Sequence, residues 1–301
     1  MNQETSINEK RVSAKAHITP FFFLLYFFAL QLFVMPALFA TGLFSSAVGS
    51  VIASGIIHLI PLVVYLLFTR QHPKAVLPTV PLGMKNGIYI AVTSLAVALI
   101  VLFVNFGHFN TIFSGIEPEP LELPGLSAIW IPLIAHGVLT ASFEELWFRG
   151  PIYREYQRRG VSTLKTAVIG GLLFGIVHAG FFQASYTALL GVLWAYMLYY
   201  TRSIWAPILA HVVFNSLFIL LNPAFYLNDY NVFWDIIQIH TLIIGISALV
   251  MTPIAVVCMK KLIANNPREK EIVVSESKSF TLGFWVLIIV MLALGLRFLF
   301  F

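Results

Sequence analysis

Long apolar runs, separated by short polar stretches that contain proline or glycine, set the pattern of this sequence. A helix needs about 20 apolar residues to cross a hydrocarbon core of about 30 Å, so each run predicts a transmembrane helix. We therefore expect an all-α fold, a polytopic transmembrane helical bundle of about eight or nine spans. The nine runs lie at residues 20–42, 48–69, 86–107, 127–153, 163–182, 184–201, 203–221, 233–259 and 280–300.

The distribution of lysine and arginine predicts how these helices are oriented. If the N-terminus is cytoplasmic and all nine runs cross, seventeen of the eighteen basic residues lie on the cytoplasmic side and only Arg297 lies outside. Cytoplasmic loops of membrane proteins accumulate basic residues, so this split supports the segment count. We expect an integral, multi-pass protein of a bacterial plasma membrane, although an endoplasmic reticulum membrane satisfies the same charge bias.

The same pattern divides the chain into four parts. Residues 1–19 form a polar cytoplasmic leader, which we expect to be retained because no small-residue cleavage site follows it. Residues 20–126 hold the N-terminal spans, 127–221 the candidate core, and 222–301 the C-terminal spans.

Composition excludes two classes of function. The formal net charge is +5, but the basic residues fall between apolar runs rather than on one folded face, so we expect no nucleic-acid partner. The chain has one cysteine, Cys258, which excludes a disulfide framework and a thiolate zinc site within one chain.

Charged side chains inside the fourth apolar run mark a candidate site. Glu144, Glu145 and Arg149 lie there, and ionisable groups at membrane depth are costly and usually functional. In a helix Glu145 and Arg149 share a face and can pair, whereas Glu144 is rotated away by about 100°. This spacing leaves Glu144 free to act as a base or a ligand. A purely structural network of the three charges is the alternative.

Two further runs each carry a histidine four residues from an aromatic or an amide side chain. Phe174 precedes His178 in the fifth run, and His211 precedes Asn215 in the seventh. Depth in the membrane can be measured from the nearest cytoplasmic charge on the same helix, at about 1.5 Å per residue. By this measure Glu144, His178, His211 and Asn215 all lie roughly 14–20 Å deep. The shared depth requires the fourth helix to continue past Pro151.

A carboxylate, two imidazoles and an amide at one depth suit hydrolysis of a carbonyl compound. In one mechanism Glu144 and His178 deprotonate a water molecule, while His211 and Asn215 donate hydrogen bonds to the oxyanion. In the other, Glu144, His178 and His211 bind zinc and leave one position open for water. The sequence contains neither a serine-hydrolase elbow nor a His-Glu-x-x-His motif, and it does not choose between the two mechanisms.

The ordered motifs Glu-Glu-x-x-x-Arg, Phe-x-x-x-His and His-x-x-x-Asn resemble those of the CPBP intramembrane proteases. This family includes the CAAX prenyl endopeptidases and bacteriocin-processing or immunity-associated proteins. The resemblance covers roughly residues 127–221 and implies a catalytic core built from spans 4, 5 and 7. It implies Glu144, His178, His211 and Asn215 as catalytic residues, with Glu145, Arg149 and Phe174 in support.

The resemblance also implies an activity and its partners. We expect an intramembrane endopeptidase, with membrane lipid around it and a membrane-associated or prenylated peptide as its substrate. The family is commonly labelled a metalloprotease, although a metal-free glutamate mechanism has been proposed for it, so zinc is the one cofactor to consider.

Two other functions fit the same pattern. A bacteriocin-immunity or scaffold protein would keep the family fold without catalysis, and a transporter would use the buried groups as a proton relay. No inverted repeat supports the transporter. Outside the motifs, His136 is a candidate neighbour of Glu144 on the same helix, and we expect a packing or interfacial role for His58.

Overall fold

The computed structural model describes residues 47–112, 132–158, 160–178, 181–221 and 230–268, together with positions 37, 40, 41 and 130. Within these residues the secondary structure is helical, apart from turns and one isolated bridge between Thr79 and Ser203. The all-α prediction is therefore confirmed for this part of the chain.

The helices follow seven of the nine predicted runs. The first run, except for three positions, and the last run lie outside the described residues. The helices are α1 (Ala47–Thr69), the short α2 (Pro73–Val76), α3 (Met84–Ile112), α4 (residues 133–158), α5 (Thr163–Ile176), α6 (Phe181–Thr201), α7 (Trp205–Leu221) and α8 (Tyr230–Asn265). Helix α4 packs against α1 and α7, α5 packs against α6, and α3 packs against α7 and α8.

Helix α4 continues through Pro151, as the depth argument requires. Its four successive parts are Leu133–Thr140 and Phe148–Ile152, which are wide π-type turns, and Ala141–Trp147 and Tyr153–Arg158, which are α-helical. A proline ring clashes with the carbonyl four residues earlier and removes one N–H donor, so a wider turn accommodates it without a break. The expectation that the helix reaches Arg154 is confirmed.

The fifth run ends earlier than the sequence predicts. Helix α5 stops at Ile176, and the N–H of His178 donates to the carbonyl of Gly175, which closes a tight turn. A three-residue hydrogen-bond spacing is common where a helix ends. His178 therefore lies in the turn after α5 rather than within a continuous helix over 163–182.

Glycines bring α5 and α6 unusually close together. A Cβ atom on Gly171 would lie 2.6 Å from the carbonyl oxygen of Ala188, and one on Gly175 would lie 2.5 Å from that of Ala184. On the facing helix, a Cβ on Gly191 would lie 2.8 Å from the Cα of Gly171. Small residues four apart permit this close approach of helices in membrane proteins. The contact fixes the position of the Gly191 backbone.

The outer face of the bundle is strongly apolar. On α8 alone, Leu242, Leu249 and Val250 are each more than half exposed. A broad exposed apolar surface is unusual for a soluble monomer and is typical of contact with lipid or a partner. In the described part of the chain, Met84–Asn105 and Thr241–Asn265 are long and apolar enough to cross a membrane, while Gly55–Thr69, Thr163–Ile176 and Trp205–Leu221 are shorter apolar helices.

Candidate active site

A buried network of charges joins α4 to α7. The carboxylate of Glu145 contacts Arg149 Nε at 2.9 Å through Oε2 and His211 Nδ1 at 3.0 Å through Oε1. All three residues are buried, with Glu145 fully inaccessible. A buried charge is tolerated when it is paired and hydrogen-bonded, so this carboxylate stabilises the guanidinium and orients the imidazole together.

The Arg149 side chain is held by further contacts from α5 and α6. One guanidinium nitrogen donates to the carbonyl of Gly191 at 3.1 Å. Its Cζ lies 4.8 Å from the centre of the Phe174 ring and 5.6 Å from that of Trp194. Aromatic faces attract a cation, and the attraction grows when water is excluded. Phe174 thus supports the site by packing against the charge network.

Glu144 projects away from this network, toward two imidazoles. Its Oε2 lies 3.9 Å from His211 Nε2, and its Oε1 lies 4.0 Å from His58 Nε2. The side chain is 15% exposed. Both distances exceed direct hydrogen-bond length and suit a bridging water molecule. The two adjacent glutamates therefore have different surroundings, as their 100° separation predicts.

The hydrogen bonds of the two motif histidines fix which ring nitrogen each presents to the site. His178 Nδ1 lies 2.7 Å from the carbonyl oxygen of Phe174, and a carbonyl can only accept, so Nδ1 carries the proton. His211 Nδ1 donates in the same way to the Glu145 carboxylate. In the neutral form of each ring, Nε2 keeps its lone pair. Trp194 stacks on His211 with ring centres 4.2 Å apart and holds its plane.

One cavity of about 220 Å³ brings the motif residues together. Asn215 lies at its edge, where Nδ2 donates to the carbonyl of His136 at 3.1 Å and ties α7 to α4. The Thr140 hydroxyl also lines the cavity and has no hydrogen-bond partner among the described residues. The lining comprises His136, Thr140, Glu144, Phe174, His178, Gln183, Tyr186, Thr187, Leu190, Trp194, His211, Phe214 and Asn215.

The side chains that the sequence offers for zinc fit a metal only in part. Nδ1 of His178 and of His211 donates to an oxygen acceptor, which is the usual arrangement behind a metal-binding imidazole. In the part of the chain that the structure describes, however, no three His, Cys, Asp or Glu side chains are grouped so that they could hold a metal ion. As placed, Glu144, His178 and His211 do not form a ligand set, and no chemical step is assigned to a metal.

Sequence reasoning missed two neighbours of the reactive groups. His58 comes from α1, far from the motifs in sequence, and its side chain faces Glu144 rather than only packing between helices. Trp194 stacks on His211 but stands in an ordinary apolar run. A histidine within another apolar run was the available sequence signal for His58, and no local pattern singles out Trp194. His136 does lie near Glu144, on the wall of the same cavity.

Comparison with known proteins identifies the part of the chain that forms this cavity. Residues 126–217 match the family model described as type II CAAX prenyl endopeptidase Rce1-like. This segment is similar to the Rce1-like family. The resemblance drawn from the three motifs is confirmed, and all of those motifs fall within the Rce1-like segment.

A more distant relative agrees with the family match. A protein of Bacillus subtilis (strain 168) that carries the name "Putative membrane peptidase YdiL" is 27% identical over 173 residues. The aligned region covers 53% of this chain and 67% of that protein. A comparison with solved structures finds no match. Both comparisons thus show that this chain is similar to membrane peptidases.

Proposed function

We propose that this protein is an intramembrane endopeptidase in which Glu144 activates a water molecule to cleave a peptide bond. One observation carries the proposal: Glu144, His178, His211 and Asn215, from three separate parts of the chain, line one cavity. The proposed substrate is a membrane-associated peptide, prenylated or not, because the segment that forms the cavity is Rce1-like.

Glu144, Glu145, Arg149 and His211 form one charged cluster. The balance of charge within this cluster supports a proton transfer between Glu144 and His211. Arg149 and Glu145 neutralise each other, so the cluster stays neutral if Glu144 and His211 exchange one proton between them. A water molecule between Glu144 Oε2 and His211 Nε2 would reach both groups across their 3.9 Å separation. As Glu144 takes the water proton, the hydroxide attacks the peptide carbonyl, and the same proton then passes to the leaving amine.

The remaining polar groups would act on the tetrahedral intermediate. His211 can donate from Nε2 only when it is an imidazolium, because Nδ1 is engaged by Glu145. Trp194 stacked on the ring and Glu145 beside it would each help to stabilise that cation once a proton reaches the buried ring. Asn215 and the Thr140 hydroxyl are additional donors for the oxyanion. His178 offers its Nε2 lone pair to the attacking water.

Hydrolysis of a quenched fluorescent peptide by the purified full-length protein tests this function. One peptide carries a prenylated cysteine followed by three further residues at its C-terminus, and a second has the same sequence without lipid. His178→Ala is expected to lower the rate by about 10²–10⁴-fold, which is typical when a general acid or base is lost. His72→Ala is the matched control and is expected to keep the wild-type rate, because His72 is exposed on the α1–α2 connection and lies outside the cavity.

Two outcomes would contradict the proposal. Full turnover in folded His178→Ala protein would show that the histidine takes no part in the reaction. A wild type that hydrolyses neither peptide would favour the scaffold function.

Metal analysis of active protein separates the zinc mechanism from the metal-free glutamate mechanism. One equivalent of zinc that is lost in His178→Ala would support Glu144, His178 and His211 as ligands.

A further inference from the structure

A second cavity, of about 360 Å³, lies where α4 and α6 end and the chain leaves α8. Its lining includes three arginines, Arg154, Arg202 and Arg268, together with Gln157 and Tyr199. None of these residues lines the cavity of the proposed active site. The three arginines lie on the side that the basic residues of the sequence assign to the cytoplasm.

These positive charges have no acidic partner within the described residues. Arg154 donates to the amide oxygen of Gln157 at 3.2 Å, and the guanidinium of Arg268 stacks 4.6 Å from the ring centre of Tyr199. The Nε atoms of Arg154 and Arg268 are buried and have no hydrogen-bond partner in the described part of the chain. A buried donor without a partner is costly, and an anion in the cavity would satisfy both.

The electrostatics agree with this geometry. Burial lowers the pKa of Arg154, and the neighbouring charge of Arg158 lowers it further. Burial also lowers the pKa of Arg268, as does the charge of Arg202, while Tyr199, Tyr153 and Tyr200 raise it. The cavity therefore concentrates positive charge that a bound anion would stabilise.

An apolar groove lies beside this cationic cavity. The groove has a volume of about 570 Å³ and is formed by α5, α6 and α8. Leu172 and Leu189 on its walls are 43% and 72% exposed. Tyr200 lines the groove and its charge also acts on Arg268. Ile263, which lines the groove as well, precedes Arg268 by only five residues. The groove thus approaches the arginines from the apolar face of the bundle.

We propose that the arginine cavity and the adjoining groove together form a binding site for an anionic phospholipid. Its phosphate group would lie among Arg154, Arg202 and Arg268, and an acyl chain would occupy the groove between α5, α6 and α8. Guanidinium groups bind phosphate through paired, directional hydrogen bonds. A neutral lipid would fill the groove but has no phosphate for the arginines. A zwitterionic lipid has the phosphate, but its ammonium group cancels the negative charge, so it would leave the excess positive charge of the cavity in place.

Lipid titration of the purified full-length protein, followed by native mass spectrometry, tests this site. The two probes are phosphatidylglycerol and phosphatidylcholine with identical acyl chains. The wild type is expected to bind phosphatidylglycerol with clear preference. The double variant Arg154→Gln/Arg268→Gln is expected to lose about 30-fold in apparent affinity for phosphatidylglycerol, the loss typical of two charges removed near an anionic lipid.

Two pairs of variants show whether binding depends on these particular positions or only on the net charge and the apolar surface of the protein. Lys260→Gln/Lys261→Gln removes the same net charge from exposed positions on α8 outside the cavity and is expected to keep the preference. Leu189→Trp, which fills the groove without changing charge, is expected to weaken binding of both lipids. Leu249→Trp changes an equally exposed leucine outside the groove and is expected to have no effect.

Equal binding of the two lipids by the wild type would overturn the proposal. Unchanged phosphatidylglycerol affinity in folded Arg154→Gln/Arg268→Gln protein would do the same. Inorganic phosphate that raises the unfolding temperature as much as phosphatidylglycerol would show a site for a free anion rather than a lipid. The chain's own Glu269 and Glu271 follow Arg268 outside the described residues, and occupation of the cavity by either would leave no preference for the anionic lipid.

Discussion

The Glu145 carboxylate connects the guanidinium of Arg149 to the imidazole of His211, and the site depends on both groups. It pairs with Arg149 one turn along its own helix and with His211 on α7. Glu144, its neighbour in sequence, lies in the cavity instead. Two adjacent residues of one type therefore differ in role because a helix turns them to different faces.

Removing the charge of Glu145 is expected to destabilise the protein through Arg149. Glu145→Gln keeps an oxygen for His211 but leaves a buried guanidinium without its counter-ion, which typically costs about 3–5 kcal/mol. Thermal unfolding in detergent measures the loss. Adding Arg149→Met removes the unpaired cation and is expected to restore most of the stability. A double variant as unstable as Glu145→Gln would show that the charge of Arg149 is not the cause.

At the scale of single residues, the sequence predicts contacts within one helix but not contacts between helices. The Glu145–Arg149 contact follows from four-residue helical spacing. The contact between Glu145 and His211 joins residues 66 positions apart, and that between His58 and Glu144 involves a helix with no motif. Neither follows from periodicity, because periodicity describes one helix and not which helices meet.

The position of the site at the scale of the helices depends on α4 and on the α5–α6 pair. Wide turns carry α4 through Pro151, so Glu144 and Arg149 stay on one continuous helix. Close packing of α5 on α6 brings Phe174, Gly191 and Trp194 against Arg149. The sequence predicts these helices, but it does not show that glycines set the distance between them.

Two glycines of α5, five positions apart, provide a matched test of that contact. Gly175→Ala places a methyl group 2.5 Å from a backbone carbonyl oxygen and is expected to cost about 1–3 kcal/mol. Gly170→Ala meets no atom within 4 Å and is expected to be neutral or stabilising, because alanine favours a helix by about 1 kcal/mol over glycine. Unfolding temperatures of the two variants compare them. Equal stability would contradict glycine-mediated packing.

At the scale of the whole molecule, the apolar outer surface and the Rce1-like segment both indicate a membrane protein. Two described helices are long enough to cross a bilayer. The number of spans, the cytoplasmic N-terminus and the four-part division of the chain are predictions from the apolar runs and loop charges of the sequence.

Cysteine labelling in intact cells tests the predicted topology. In a Cys258→Ala background, Ser114→Cys lies in a loop that the charge pattern places outside, and Lys74→Cys lies in one that it places inside. A membrane-impermeant maleimide is expected to label the first variant and to label the second only after lysis. The reverse pattern would contradict the orientation assigned to these loops.

The central claim is that Glu144 activates water for peptide-bond cleavage, and the turnover of Glu144→Gln tests it most directly. The amide has nearly the same shape and hydrogen-bonding length as the carboxylate but cannot accept the proton. The account predicts that Glu144→Gln protein, with wild-type elution and unfolding behaviour, hydrolyses the peptide about 10²–10⁴-fold more slowly than the wild type. Hydrolysis at the wild-type rate would contradict it.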